Sequence, residues 1–303
     1  MKIAVHGLGR MGMQIAQKLA ESDHTLIAHN RSKDKVDHAA SFGAVAAYEK
    51  QDVLHAFGDD QVAIWLMLPA EVVDQEISEW LQVVPQGTIF IDGGNSDFRL
   101  TKQLNQRLKD AGMHLADVGT SGGVWGYQNG FCMMAGADDQ STFQAVEPAL
   151  QVLAAPSGAY HHFGPSGAGH FVKMTHNAIE YGMMESLAEG YNVLKNGPYQ
   201  DLDLAAAGDV WQHHSVITSW LNELATDSLK ESPDLDGIDG FVAENGEARW
   251  TLEVAKEMNL PTPSIQAAFD VRLRSQQGET NFSTKLLAAM RNKFGGHQLN
   301  KDS

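Results

Sequence analysis

The chain has 303 residues, with 22 Lys and Arg against 38 Asp and Glu, a formal charge of −16. At 43% hydrophobic and 20% charged residues, it can bury substantial cores in about two domains, and wholesale disorder is excluded. The acidic balance argues against nucleic acid or an anionic membrane surface as the main partner, and the single cysteine, Cys132, excludes an intrachain disulfide or a multi-cysteine metal site and fits a reducing compartment.

In chain order, residues 2–6 read as a strand, 12–21 as a helix and 26–29 as a second strand. Residues 62–68 and 88–91 read as further buried strands, with a helix at 71–81 between them. Residues 98–111 carry helical periodicity, and 114–118 and 131–135 read as later strands. This alternation is that of βαβ units around a parallel sheet. The run 62–68 is the longest apolar stretch, far short of the ~20 residues a spanning helix needs. No signal-like stretch follows Met1, so no membrane association and a cytoplasmic location are expected. Beyond about residue 165 strand signals cease. A long helix is expected over 171–196, stopped by Gly197-Pro198, with further helices over 202–223, 241–258 and 264–276 and with Pro261 and Pro263 punctuating the last gap.

Gly7-Leu8-Gly9-Arg10-Met11-Gly12 matches G-x-G-x-x-G between a strand and a helix. Gly7 permits the tight turn, Gly9 lets a pyrophosphate approach the backbone, and Gly12 permits close helix–strand packing. The helix N-terminus adds unpaired N–H groups. The predicted fold is therefore an α/β Rossmann-type dinucleotide-binding domain over 1–165, joined at Gly164-Pro165-Ser166-Gly167 to an all-α helical domain over 166–303. At the end of the second strand, where readers of NAD place an acid, stands Asn30-Arg31-Ser32, with Lys33 and Lys35 following. Arg31 can stack on adenine and pair with a 2′-phosphate. NADP is expected over NAD, with NAD as the alternative.

Residues 167–182 are the most informative stretch. On a helix Lys173, His176 and Asn177 share one face, and Glu180 lies two turns from Lys173. If that face closes over a nucleotide, desolvation can lower the amine's pKa and raise the carboxyl's, a pair fit for acid–base work without a metal. Thirteen histidines contain no His-Glu-x-x-His, and the adjacent pairs His161-His162 and His213-His214 point different ways, so no metal site is expected.

Over its whole length the chain resembles the decarboxylating 6-phosphogluconate dehydrogenases, within the wider β-hydroxyacid dehydrogenases. The resemblance is carried by residues 7–12, Asn30-Arg31-Ser32, Ile91-Asp92-Gly93-Gly94-Asn95-Ser96, Gly119-Thr120-Ser121-Gly122-Gly123 and the run 167–182. At this length it resembles the short form. The resemblance implies oxidation and decarboxylation of 6-phosphogluconate to ribulose 5-phosphate. Lys173 would be the general base and Glu180 the acid that protonates C1 of the enediol left after CO2 departs, giving ribulose 5-phosphate, with His176 and Asn177 holding the substrate hydroxyl and the lysine in register. Asn95 would touch both nicotinamide and substrate, and Met67, Leu68 and Pro69 would line the cofactor. Ser121, Gly122 and Gly123 would offer backbone N–H groups to the carboxylate. Tyr181, Arg249, Arg272, Arg291 and His297 would serve the substrate, largely its phosphate. In the family the last arginine and histidine enter the neighbouring subunit's site, which implies a homo-oligomer, dimer or tetramer, with composite active sites. Two other readings stand beside this one: a related dehydrogenase acting on an unphosphorylated 3-hydroxy acid, and a catalytically inactive nucleotide-binding sensor.

Overall fold

Strand β1 (Lys2–His6) buries Ile3, Ala4 and Val5 completely, as a parallel strand covered on both faces must. It heads a computed structural model that describes residues 1–199 and 201–299. In chain order there follow α1 (Arg10–Ala20), β2 (Thr25–His29), α2 (Lys33–Ala40), β3 (Val45–Ala47), α3 (Lys50–Phe57), β4 (Ala63–Leu66), α4 (Ala70–Trp80), β5 (Ile89–Asp92), α5 (Phe98–Asp110) and β6 (His114–Ser121). A 3₁₀ turn (Gly123–Trp125), α6 (Gly126–Asn129), β7 (Cys132–Ala137), α7 (Gln140–Ala154) and β8 (Ala159–His162) complete the first half. The eight strands form one sheet in the order β3-β2-β1-β4-β5-β6-β7-β8, parallel throughout except for the antiparallel β6/β7 pair. The order reverses between β1 and β4, the switch point where open α/β sheets bind ligands. One core, with Ile15, Leu19, Phe143 and Leu150, packs α1 and α7 on one face. A second, with Val53, Ile77, Trp80 and Leu108, packs α3, α4 and α5 on the other.

The rest is helical: α8 (Ala168–Asn196), α9 (Leu204–Gln212), α10 (Trp220–Glu231), α11 (Glu247–Glu257), α12 (Pro263–Ser275) and α13 (Phe282–Gly295). Met184, Tyr191, Leu224, Leu287 and Met290 form its main core, and Ala178, Tyr181, Ala248 and Phe269 a second. The contacts divide the chain between Met174 and Thr175, inside α8, because the first turns of that helix pack on the sheet. None of the described helices is long and apolar enough to cross a membrane.

The structure departs from the sequence expectation at several places, of which three have a local cause. The helix expected over 202–223 is two helices: α9 stops before His214, which takes φ 62°. Ser219 then caps α10 by accepting the Asn222 N–H at 3.1 Å. Residues 241–246 are not helical. The Val242 N–H donates to Ser275 Oγ instead, and Gly246, at φ 101°, lies so close to the Trp250 ring that a Cβ would crowd it. Strand β6 runs three residues beyond 114–118 because β7 pairs along it from Ala116↔Ala137 to Ser121↔Cys132.

β1 and β2 end side by side at His6 and His29, whose rings lie 4.7 Å apart under Trp80. Trp80 Nε1–H donates to His6 Nδ1 at 3.1 Å, a bond that needs that nitrogen unprotonated. Burial, then His29 and Lys50, push the His6 pKa down to about 3, and burial lowers His29 as well. The unfolded chain therefore binds a proton near pH 6.5 that the folded chain refuses until far lower, so stability falls as pH drops below 6.5. At pH 5, about 1.5 units below, His6 alone removes about 2 kcal/mol. Denaturant titrations at pH 7.5 and 5.0 should show that loss in the wild-type protein and a clearly smaller one in H6Q; equal losses would exclude His6 as the source.

Candidate active site

The glycine turn is built for close approach. Gly7 has φ 103°, its N–H donates to the His29 carbonyl at 3.1 Å, and a Cβ there would collide with the Met67 carbonyl at the end of β4. A Cβ on Gly12 would collide with the Gly7 carbonyl. Gly9 is different: nothing lies within 4 Å of its Cβ position. Gly9 is also the N-cap of α1, with no side-chain cap and no acid in the first turn. Open space in front of uncapped N–H groups suits a pyrophosphate, and a Cβ would fill it. The residues thus fit a dinucleotide.

Asn30 shapes this turn. Its Oδ1 accepts the Leu8 N–H at 2.9 Å and its Nδ2 donates to the Ser32 carbonyl at 3.3 Å. Ser32 is the N-cap of α2. Arg10, Arg31, Lys33 and Lys35 are exposed around it. Met67 and Leu68 are half-buried beside Gly7, Pro69 is exposed, and Met11 packs on the core.

The loop after β5 folds around Asp92, which is 1% exposed. Its carboxylate accepts the Gly94 N–H at 3.1 Å and the Ser96 hydroxyl at 2.9 Å, leaving Asn95 exposed at the strand end. At the end of β6, Ser121 is half-buried, and Gly122 and Gly123 take φ 135° and 53°, a positive-φ backbone that glycine adopts freely.

Lys173 is fixed by the start of α8. Asp117, on β6 and fully buried, accepts N–H bonds from Gly167 at 2.6 Å and His170 at 2.8 Å, and the Ser166 hydroxyl at 3.4 Å. It thereby satisfies donors that a helix N-terminus leaves without partners. Burial pushes its carboxyl pKa up, while the nearby His170 and these N–H bonds act the other way. The His170 ring bonds Thr101 Oγ1 at 2.8 Å and the Asp92 carbonyl at 3.2 Å, tying α8 to the loop that carries Asn95. Gly119 lies against Lys173 so closely that a Cβ would collide with the lysine's Cβ and Cγ. Lys173 is 6% exposed. Asp117 and His170 escaped the site prediction; an acid inside the apolar strand 114–118 was the available signal.

The helical half gathers the other groups. His176 and Asn177 bond through Nδ1 and Oδ1 at 2.9 Å, and Asn177 Nδ2 donates to Glu247 Oε1 at 2.9 Å. Glu180 is half-buried and Tyr181 is 4% exposed. The Arg272 guanidinium lies flat on the Tyr181 ring, its carbon 3.2 Å from the ring centre, and Nη2 reaches Met184 Sδ at 3.7 Å. Arg272 is 1% and Arg291 5% exposed. Neither has a carboxylate within ion-pair distance among the described residues. Burial lowers the Arg272 pKa to about 10 and lowers that of Arg291, each opposed by the Tyr181 and Glu180 charges. Two buried guanidiniums without paired anions are expensive, and their donors suit a dianion.

Arg291 thus lies inside its own chain on α13, not on a projecting tail. Arg249 is outside this cluster: exposed, it pairs with Glu244. His297 sits past the end of α13, its carbonyl accepting from Asn292 Nδ2 at 2.8 Å and its ring 6.2 Å from that of Phe294. Among the described residues, no three of His, Cys, Asp or Glu are grouped to hold a metal.

A dinucleotide cradle with a lysine pinned at the same strand ends defines the class, an NAD(P)-binding oxidoreductase. Residues 2–164 match the NAD-binding domain of 6-phosphogluconate dehydrogenase and residues 169–302 its C-terminal domain. The chain belongs to the 6-phosphogluconate dehydrogenase family. It is 35% identical to a Bacillus subtilis protein, YqeC, whose own assignment as a 6-phosphogluconate dehydrogenase is provisional, over 99% of this chain and 100% of that one. It is 34% identical to the NAD(+)-dependent, decarboxylating 6-phosphogluconate dehydrogenase of Haloferax volcanii, over 99% of this chain and 98% of the relative. The solved Plasmodium falciparum 6-phosphogluconate dehydrogenase, determined apo, with NADP+ and with 6-phosphogluconate, superposes with a TM-score of 0.82 at 25% identity, covering 92% of this chain and 63% of that longer one.

Two glycine substitutions separate the cradle from the lysine. G9A fills open space, so the melting temperature should hold while cofactor Kd rises about tenfold or more, read by fluorescence titration. G119A displaces Lys173, so kcat should fall about 100-fold with cofactor Kd within about twofold. A G119A enzyme of normal kcat would remove Lys173 from the chemistry.

Proposed function

We propose that the protein oxidises and decarboxylates 6-phosphogluconate to ribulose 5-phosphate and CO2, with NADP preferred over NAD. The observation that carries this reading is the pair of buried, carboxylate-free arginines, Arg272 and Arg291, around Tyr181. They match a phosphate dianion through charge-assisted hydrogen bonds, and the Tyr181 hydroxyl adds one more. An unphosphorylated acid would leave both cations without an anion, and an inactive sensor has no use for a lysine held this closely.

In this reading the backbone N–H groups of residues 7–12 hold the pyrophosphate, and Arg31 with Lys33 or Lys35 meets the 2′-phosphate. Met67, Leu68, Pro69 and Asn95 border the nicotinamide. When bound, the nicotinamide accepts a hydride from substrate C3. Lys173 takes the proton from the C3 hydroxyl. As an ammonium it then donates to the 3-keto oxygen, which draws off the electrons released when the C1 carboxylate departs as CO2. Glu180 delivers a proton to the former C2 of the resulting enediol, which becomes C1 of ribulose 5-phosphate. Asn177 and His176 orient the hydroxyl and the amine, and the N–H groups of Ser121-Gly122-Gly123 receive the carboxylate.

Steady-state assays with 6-phosphogluconate and with gluconate, monitoring reduced cofactor and CO2, test this. Only the phosphorylated acid should turn over, with kcat/KM about tenfold or more higher for NADP than for NAD. R291A should lower kcat/KM for 6-phosphogluconate about 100-fold, the worth of two charge-assisted bonds, mainly through KM. Equal use of gluconate would overturn the phosphate assignment, and reduced cofactor without CO2 would overturn the decarboxylation.

A further inference from the structure

Glu185 follows Tyr181 by one turn of α8 and has no part in the chemistry above. It is 6% exposed and makes no hydrogen bond or ion pair with any described residue. Its side chain lines a cavity of 380 Å³ walled by α8, α12 and the start of α13. The polar lining includes Glu185, Glu189, Asn192, Arg274, Glu279 and Asn281. Three carboxylates against one guanidinium give 1 − 3 = −2. Arg274 Nε lies 4.0 Å from Glu279 Oε2, so that pair largely answers itself. The remaining neighbouring cation, Arg272, is engaged with the Tyr181 ring. The surplus charge therefore lies with Glu189 and, when it is ionised, with Glu185, one helical turn away, and the N-cap of α13, Asn281, with Ser283 and Thr284 beyond it, is uncharged.

A carboxyl this buried with no protein donor is costly to ionise, and a ligand donor in the cavity would offset that cost. Burial and the Glu189 charge push its pKa up to about 7, against the pull of Arg272 and Arg274. The net charge excludes an anion. A divalent ion would need more ligands than the two carboxylates supply, and no described group of three His, Cys, Asp or Glu can hold one. An ammonium carries three donors and one compact charge, which two adjacent carboxylates and the Asn192 amide can accept. The cavity volume lies within the range of small-molecule sites, about 300–1,000 Å³.

We propose that this cavity is a binding site for a small aliphatic primary amine, its ammonium held between Glu185 and Glu189. Binding stabilises the ionised form of Glu185, so at neutral pH the amine displaces a proton.

Isothermal titration calorimetry of the full-length protein with 1,4-diaminobutane at pH 7, without substrate or cofactor, tests this apart from the catalytic reading. Runs in two buffers of different ionisation enthalpy should give one site and release of about half a proton, since a group titrating near 7 is half protonated there. E185Q, of the same size and shape, should keep the melting temperature, weaken binding about tenfold or more and abolish proton release. E189Q, at an exposed position, should weaken binding several-fold, about threefold or more, and keep proton release. Heats equalled by NaCl of matched ionic strength, binding unchanged in E185Q, or saturation by Mg²⁺ in place of the amine would each overturn the proposal.

Discussion

Asp117 is the constraint on which the catalytic half of the reading depends. A helix begins with N–H groups that have no partner within it, and α8 begins against the sheet, out of reach of water. Asp117 supplies those partners from 50 residues away. Its burial raises the free energy of its own charge, and the nearby His170 and the two N–H bonds offset part of that cost. The bonds run both ways: the helix start needs the acid, and the acid needs the helix start. Because Lys173 lies within two turns of that anchor, the position of its Cβ is set by backbone, and only the outer part of a long, flexible side chain remains to be ordered.

Close approach makes the anchor effective. Three glycines meet at the contact: Gly119 under Lys173, Gly136 beside Asp117, and Gly169 against the Met134 and Asp117 carbonyls. Any side chain at these places would lift α8 from β6 and stretch the bonds to Asp117. The arrangement repeats the logic of the nucleotide turn, where Gly7 and Gly12 are crowded while Gly9 alone opens to empty space. In both places glycine marks where backbone touches backbone, and the exception marks where a ligand fits.

Much of the first half was legible in the sequence because its signals are local. G-x-G-x-x-G between a short apolar strand and an amphipathic helix states its own context, and β1, β4, β5 and α5 fall within one or two residues of their expected bounds. What escaped was set by distant partners. β3 is three residues long, with one fully buried alanine and no alternation. β8 is a half-exposed edge strand that exists through its pairing with β7. The α9/α10 break depends on His214 taking a left-handed backbone, which no residue pattern in 202–223 announces. The site was legible in the same measure. Lys173, His176 and Asn177 share a face by spacing alone. That Asp117 would cap their helix, and that Arg291 would be buried near Tyr181 while Arg249 pairs with Glu244 at the surface, are facts of tertiary packing.

The buried ionisable groups sort by what surrounds them. His6 is kept neutral among aromatic rings, with Trp80 Nε1–H donating to its Nδ1 and the Glu76 carboxylate 3.9 Å from its Nε2. Asp92 and Asp117 stay inside because backbone and hydroxyl donors surround them. Arg272, Arg291 and Glu185 follow neither pattern: they cannot all be neutral near pH 7, and among the described residues they have no partners of opposite charge at bonding distance. Folding alone gains nothing from such groups, since apolar residues of similar volume would pack there at lower cost. Their retention makes sense where the missing partner arrives from solution. In the proposed readings the arginines take an anion and the carboxyl takes a cation.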